Sequence, residues 1–151
     1  IQHYAIDGYK EHILQPESTE STTKKEKYQS SNLSTEEANR IFAALKKQFD
    51  EQHLYQKPKL KITEVAQLIN TTPHTLSQVI NSKAKVPFYD FVNQYRVKAL
   101  QEKLVNPSNQ NFTILALALD AGFNSKASLN RVFKEIAGMT PSQYQKAHLI
   151  K

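Results

Sequence analysis

The feature that most narrows what this chain can fold into is that it repeats itself. Laying Ile62 on Ile114 also lays Val65 on Leu117, Ala66 on Ala118 and Asn70 on Gly122, a constant offset of 52 residues. Past that break the offset becomes 53, with Leu76 on Leu129, Val79 on Val132 and Ile80 on Phe133. Each copy reads as a short helical run, a turn residue and a second helical run. A small residue where two helices cross lets them approach, a turn residue tolerates positive φ, and a buried aliphatic in the second helix fixes the angle. Ala66 and Ala118 fit the first role, Asn70 and Gly122 the second, Leu76 and Leu129 the third. This is how a helix-turn-helix is built, although a helical hairpin duplicated for packing alone has the same spacing.

The flanking sequence extends the helical reading. Ser34-Thr35-Glu36-Glu37 has the form of a capping box, in which the Ser34 hydroxyl and the Glu37 carboxylate satisfy helix-start amides reciprocally. Ala38, Ile41, Phe42, Leu45 and Phe49 follow on one face of a helix reaching about Gln52, and a joint surrounds Pro58. In the first repeat Thr72 is the cap and Pro73 the first residue of the second helix. A long helix from Phe88 to about Val105 carries Phe88, Phe91, Val92, Tyr95, Ala99 and Leu104 as its apolar stripe. Thr113 and Ser125 cap the two helices of the second repeat, and Pro141 opens a last turn of helix around Tyr144. No stretch shows strand alternation. The expected fold is all-α, with residues 1–33 as an arm and polar linker, 34–56 as a leading helix, and 57–151 as a domain holding repeat one (about 62–82), the linking helix (about 88–105) and repeat two (about 113–137).

Composition removes several functional classes. The chain has no cysteine, so disulfides, thiolate zinc sites and cysteine nucleophiles are excluded, and a reducing address fits. His3, His12, His53, His74 and His148 are scattered, with no HExxH or paired-carboxylate pattern. Gly8, Gly122 and Gly138 are too few for any glycine-rich phosphate loop. An enzyme is not expected. The longest apolar run is Ile114 to Leu119, far short of the roughly 18 residues of a membrane span. The start at Ile1, with no signal-peptide pattern, reads as a fragment of something longer. Residues 15–32 are almost wholly Ser, Thr, Glu, Lys and Gln, too polar to offset ordering entropy. Charge is uneven: residues 57–151 hold 13 Lys+Arg against 5 Asp+Glu, net +8, whereas residues 1–56 hold 7 against 9, net −2. A basic half of this kind suits an anionic partner, most often nucleic acid.

The stretch ILALALDAGFNSKASLNRVFKEIAGMTPSQY, together with the first repeat and the helix between, resembles the DNA-binding end of AraC/XylS-type bacterial transcription regulators from about Leu60 to Tyr144. The resemblance implies two three-helix subdomains on a rigid linking helix, each second helix entering one of two successive major-groove segments. Half-sites one turn apart lie about 34 Å from each other. It implies double-stranded DNA as partner and no cofactor.

Carried onto this chain, the first recognition helix offers His74, Ser77 and Gln78 to base edges, with Thr72, Thr75 and Asn81 nearer the phosphates. Gln78 can pair bidentately with adenine. The second offers Lys126, Ala127, Ser128, Asn130 and Arg131, with Thr113, Ser125 and Lys134 toward the backbone. The Arg131 guanidinium fork matches the O6/N7 edge of guanine, against an alternative in which it only pairs with Glu135 one turn later. Ala127 could touch only a thymine methyl. Two departures from the family pattern stand out: Asn70 replaces the usual turn glycine, and Pro73 to Ser82 contains no Lys or Arg, so the first unit is expected to grip weakly. Arg96, Lys98 and Lys103 on the linking helix read as a solvated face.

Other readings remain open at this stage. A protein-interaction module could retain the same scaffold without binding DNA, and the scaffold also serves as an adaptor in repair enzymes that use a cysteine absent here. The expected setting is the bacterial cytoplasm. Partners expected from the resemblance are RNA polymerase if the protein activates, an upstream sensor of the same chain that is membrane-embedded in some family members and a two-component receiver in others, and a second copy through that upstream region.

Overall fold

The computed structural model describes residues 33–149, and the expected arm and linker of residues 1–32 lie outside them. The described residues form seven α-helices and no strand: α1 (Thr35–Asp50), α2 (Ile62–Leu68), α3 (Pro73–Ala84), α4 (Phe88–Val105), α5 (Ile114–Asp120), α6 (Lys126–Ala137) and α7 (Pro141–His148). Two short 3-10 turns, Leu54–Gln56 and Pro107–Asn109, sit between them. No helix among the described residues is long and apolar enough to cross a membrane.

The repeat holds down to individual hydrogen bonds. Asn70 and Gly122 both have positive φ, 57° and 108°. The Asn70 amide donates to the Gln67 carbonyl and the Gly122 amide to the Leu119 carbonyl, at 3.3 and 3.1 Å. Thr71 N–H to Ala66 O (2.9 Å) is matched by Phe123 N–H to Ala118 O (3.1 Å). After these bonds Thr72 Oγ1 accepts from the Thr75 amide and Ser125 Oγ from the Ser128 amide, each at 3.1 Å. The offset therefore grows from 52 to 53 in the turn itself, where Asn124 is the extra residue before the cap.

The chain divides into two compact units. One contains Lys61–Phe88 and the described residues up to Lys47, and so holds α2, α3 and most of α1. Its core is Ile41, Leu45, Val65, Ala66, Ile69, Leu76, Val79 and Ile80, all buried, with α2 packed on α3. The Lys83 ammonium, near the end of α3, donates to Asn39 Oδ1 of α1.

The other unit contains Gln48–Leu60 and the chain from Tyr89 onward. Phe49, at the end of α1, is fully buried against Phe91 and Tyr95, with ring centroids 5.2 and 5.1 Å away. The Tyr95 hydroxyl donates to Asp50 Oδ1 at 2.7 Å. Arg96 is not on a solvated face as expected: its Nε donates to the Tyr55 carbonyl and its Nη2 to the Lys57 carbonyl, both at 2.8 Å. Burial lowers the Arg96 pKa. Lys103 is also engaged, at 2.6 Å from Asp120, while Lys98 is exposed. Gly122 closes the same joint, since a Cβ there would lie 2.3 Å from the Tyr55 carbonyl oxygen and 2.7 Å from Arg96 Nε.

Three local expectations need correcting. The Ser34 hydroxyl does accept the Glu37 amide at 3.1 Å, but the Glu37 carboxylate is taken by the Arg40 guanidinium at 2.5 and 3.0 Å. A two-point charge-assisted contact competes well against one neutral amide. In α4 the expected stripe is buried in its first half, but Val97 and Leu100 join Leu104 on the opposite side, so α4 is apolar on two sides. The last helix runs eight residues rather than one turn. Its start is fixed by a box in which Thr140 Oγ1 accepts the Gln143 amide and Gln143 Oε1 accepts the Thr140 amide.

Candidate nucleic-acid interface

Each unit presents a second helix of twelve residues, α3 or α6, whose inward side is fixed by three buried apolar residues. Those are Leu76, Val79 and Ile80 in α3 and Leu129, Val132 and Phe133 in α6. The other positions of each helix are then turned away from its core by helical periodicity.

Of the expected contact residues in the first unit, Thr72, the cap before α3, and His74 are exposed. Thr75, Ser77, Gln78 and Asn81 are half-buried. The Thr72 hydroxyl donates to Thr75 Oγ1 at 2.9 Å, so these two hydroxyls form a pair that leaves the Thr75 proton to serve an outside acceptor. No cation lies on α3 before Lys83, which is already bonded to Asn39.

On α6 the picture differs. Lys126, Ala127, Asn130, Arg131 and Lys134 are all exposed, and only Ser128 is half-buried. Arg131 Nη1 lies 3.8 Å from Glu135 Oε1, with the two side chains 66 % and 46 % exposed. That distance is a Coulombic contact without a hydrogen bond, and exposed pairs of this kind contribute about 0–1 kcal/mol. Both readings of Arg131 are thus compatible: it has a partner, and it is available. Thr113 Oγ1 and Ser125 Oγ are exposed caps, accepting the Ala116 and Ser128 amides at 3.0 and 3.1 Å. Capping uses a lone pair, which leaves each hydroxyl proton able to reach a phosphate oxygen.

Two features went unnoticed in the sequence. Phe112, just before α5, and Leu115 and Leu119 on it are exposed at 56 %, 39 % and 47 %. A groove of about 310 Å³ has Ile114, Leu115, Lys126, Leu129, Asn130 and Pro141 among its lining. Helical spacing of apolar residues reads as core whichever side they fall on. The useful signal was in the repeat: the positions equivalent to Leu115 and Leu119 in the first unit are Thr63 and Gln67.

A family model described as a helix-turn-helix domain matches residues 65–147, more than half of the chain. The chain belongs to the AraC-type helix-turn-helix family. Solved AraC-type structures share the fold. The C-terminal domain of AraT, a response regulator from Geobacillus stearothermophilus, superposes with a TM-score of 0.63 at 21% identity, covering 74% of this chain and 88% of that one. A transcriptional regulator with an AraC-type DNA-binding domain from Chromobacterium violaceum gives 0.60 at 11% identity, over 76% and 96%. An uncharacterised HTH-type transcriptional regulator of Staphylococcus aureus strain COL is 30% identical over 86 residues, 57% of this chain and 11% of that protein. The match therefore spans about a tenth of that relative's length. The part of the chain that matches is thus of the DNA-binding kind found in transcription regulators.

Proposed function

We propose that this chain binds duplex DNA in a sequence-specific way for a transcription regulator, with α3 and α6 entering successive major-groove segments and α6 supplying the firmer base reading. The observation that carries this is the exposed row Lys126, Asn130, Arg131 and Lys134 on a helix whose other side buries Leu129, Val132 and Phe133. Cations at this density suit phosphates, and a guanidinium fork suits guanine. On α3, Gln78 and His74 are the base-reading candidates, with Ser77 and Asn81 beside them. An upstream sensing part, and RNA polymerase if the protein activates, complete this reading as partners.

The test is binding of Arg131→Ala and Gln78→Ala to a selected site and to its single-base variants. Arg131→Ala is expected to cost about 1–3 kcal/mol on the preferred site and to relax the choice at one base pair. Gln78→Ala should cost less. A uniform loss across all sequences would make Arg131 a phosphate contact.

A further inference from the structure

Within one chain the structure offers two Arg–Glu pairs of opposite construction. Glu37 lies in the first turn of α1 and Arg40 three residues on, acid first, joined by two hydrogen bonds. That arrangement stabilises a helix: the acid lies at the positive end of the macrodipole and the base follows it. Arg131 and Glu135 reverse each element. The base comes first, the contact is 3.8 Å with no hydrogen bond, and Glu135 lies in the closing turn of α6, where an acid meets the negative end of the dipole. It is also the one acid of α6, on a helix facing an anionic partner in the reading above. Its charge is felt nearby as well, since burial and then Glu135 raise the pKa of Asp90. Glu135 therefore does little for the helix and opposes DNA approach.

The atom of the fork nearest to Glu135 is Nη1, at 3.8 Å. Side chains in a helix lean toward its N-terminus, so the Glu135 carboxylate reaches back one turn to Arg131 Nη1. Contact at Nη1 leaves the edge made by Nε and Nη2, two parallel donors, for the O6/N7 pair of a guanine. We propose that Glu135 is a positioning residue that sets the base selectivity of Arg131, holding the fork by Nη1 so that it reads guanine rather than settling on a phosphate. This rests on the DNA-binding reading above. On a matching site the pair survives and strengthens as water leaves. On a wrong site Arg131 must abandon Glu135 to find a phosphate, and an unpaired carboxylate is left facing DNA.

The experiment measures binding of the full chain, as wild type, Glu135→Gln, Arg131→Ala and the double variant, to the preferred duplex, its single-base variants and a random duplex. Glu135→Gln is expected to tighten random-duplex binding about three- to tenfold and to reduce discrimination at the Arg131 base pair about tenfold, the lower end of what one bidentate pair contributes. In the Arg131→Ala background the same change should still tighten binding but leave discrimination at that base pair unaltered. Thermal melting should show Glu135→Gln at least as stable as wild type, which separates lost selectivity from lost folding. If wild type selects bases and Glu135→Gln selects them equally well, or loses selectivity equally without Arg131, the positioning role is wrong and the DNA-binding reading stands. A wild type with no preference among duplexes overturns both.

Discussion

The two copies of the helix-turn-helix allow one substitution to be judged against its own internal control. Gly122→Ala and Asn70→Ala alter equivalent turn positions, both at positive φ. At Asn70 a Cβ is already present and the residue is exposed, so the alanine loses only the local polar support of the left-handed conformation, about 1 kcal/mol. At Gly122 the backbone strain of a non-glycine residue is similar or larger, about 1–3 kcal/mol. The new methyl would also sit 2.3 Å from the Tyr55 carbonyl oxygen, a backbone atom. Moving that carbonyl disturbs its hydrogen bond from Arg96 Nε, 2.8 Å long and worth about 1.5–3 kcal/mol as a bond to a charged group. Gly122→Ala should thus cost about 3–5 kcal/mol in all, some 2–4 more than Asn70→Ala. Urea unfolding followed by circular dichroism and by tyrosine fluorescence measures both, the two probes showing whether the units unfold together. Equal costs for the two alanines would refute the packing of the turn on residues 55–57.

Phe49→Ala should cost about 3–5 kcal/mol, since it removes a fully buried ring at the centre of the Tyr55, Phe91 and Tyr95 cluster; chemical denaturation would show it, and a loss below 1 would place Phe49 outside the core. Asp90 has its pKa raised by burial and by Glu135, so its ionised form weakens folding above its folded pKa and not below the ordinary carboxylate range; Asp90→Asn should raise the melting temperature at pH 7 and give progressively less benefit as the pH falls through that window. Binding of the chain to DNA should weaken with salt at a log–log slope near −4 to −5 if about 5 phosphates are neutralised, and a slope near zero would remove the DNA-binding function. Because α3 and α6 differ at nearly every outward position, footprinting of a monomer should show an asymmetric site of about 15–20 base pairs and not an inverted repeat.

Much of the architecture was legible because its signals are local. Thr72, Thr113 and Ser125 announce helix starts through bonds to residues three positions on, and all three bonds are present. Asn70 and Gly122 announce turns through backbone preference alone. The bounds of α4 follow from Pro87 and from the Asn106-Pro107 pair, and they fall at Phe88 and Val105. What escaped is what depends on partners distant in sequence. Arg96 looks like any surface cation until the carbonyls of Tyr55 and Lys57, some forty positions earlier, are brought to it. Glu37 was assigned to the Ser34 amide because the motif describes one helix end and says nothing of the arginine that follows. Of the candidate interface, the outward residues of α6 could be named from periodicity and resemblance. That Ser77, Gln78 and Asn81 of α3 are half-buried could not, since periodicity gives direction but not depth.

The α1 helix bears on where such a module can be cut and grafted. The family match begins at residue 65, which invites the view that everything before it is a tether. Yet Ile41 and Leu45 are buried in one unit and Phe49 in the other, all carried on that one uninterrupted helix. A graft that began at residue 57 would leave behind four core side chains, Ile41, Leu45, Phe49 and Tyr55, and the carboxylate that Tyr95 binds. A piece moved onto another protein must therefore carry all of α1 from its Ser34 cap onward, so whatever is spliced upstream meets a helix whose side chains are core and not a passive tether.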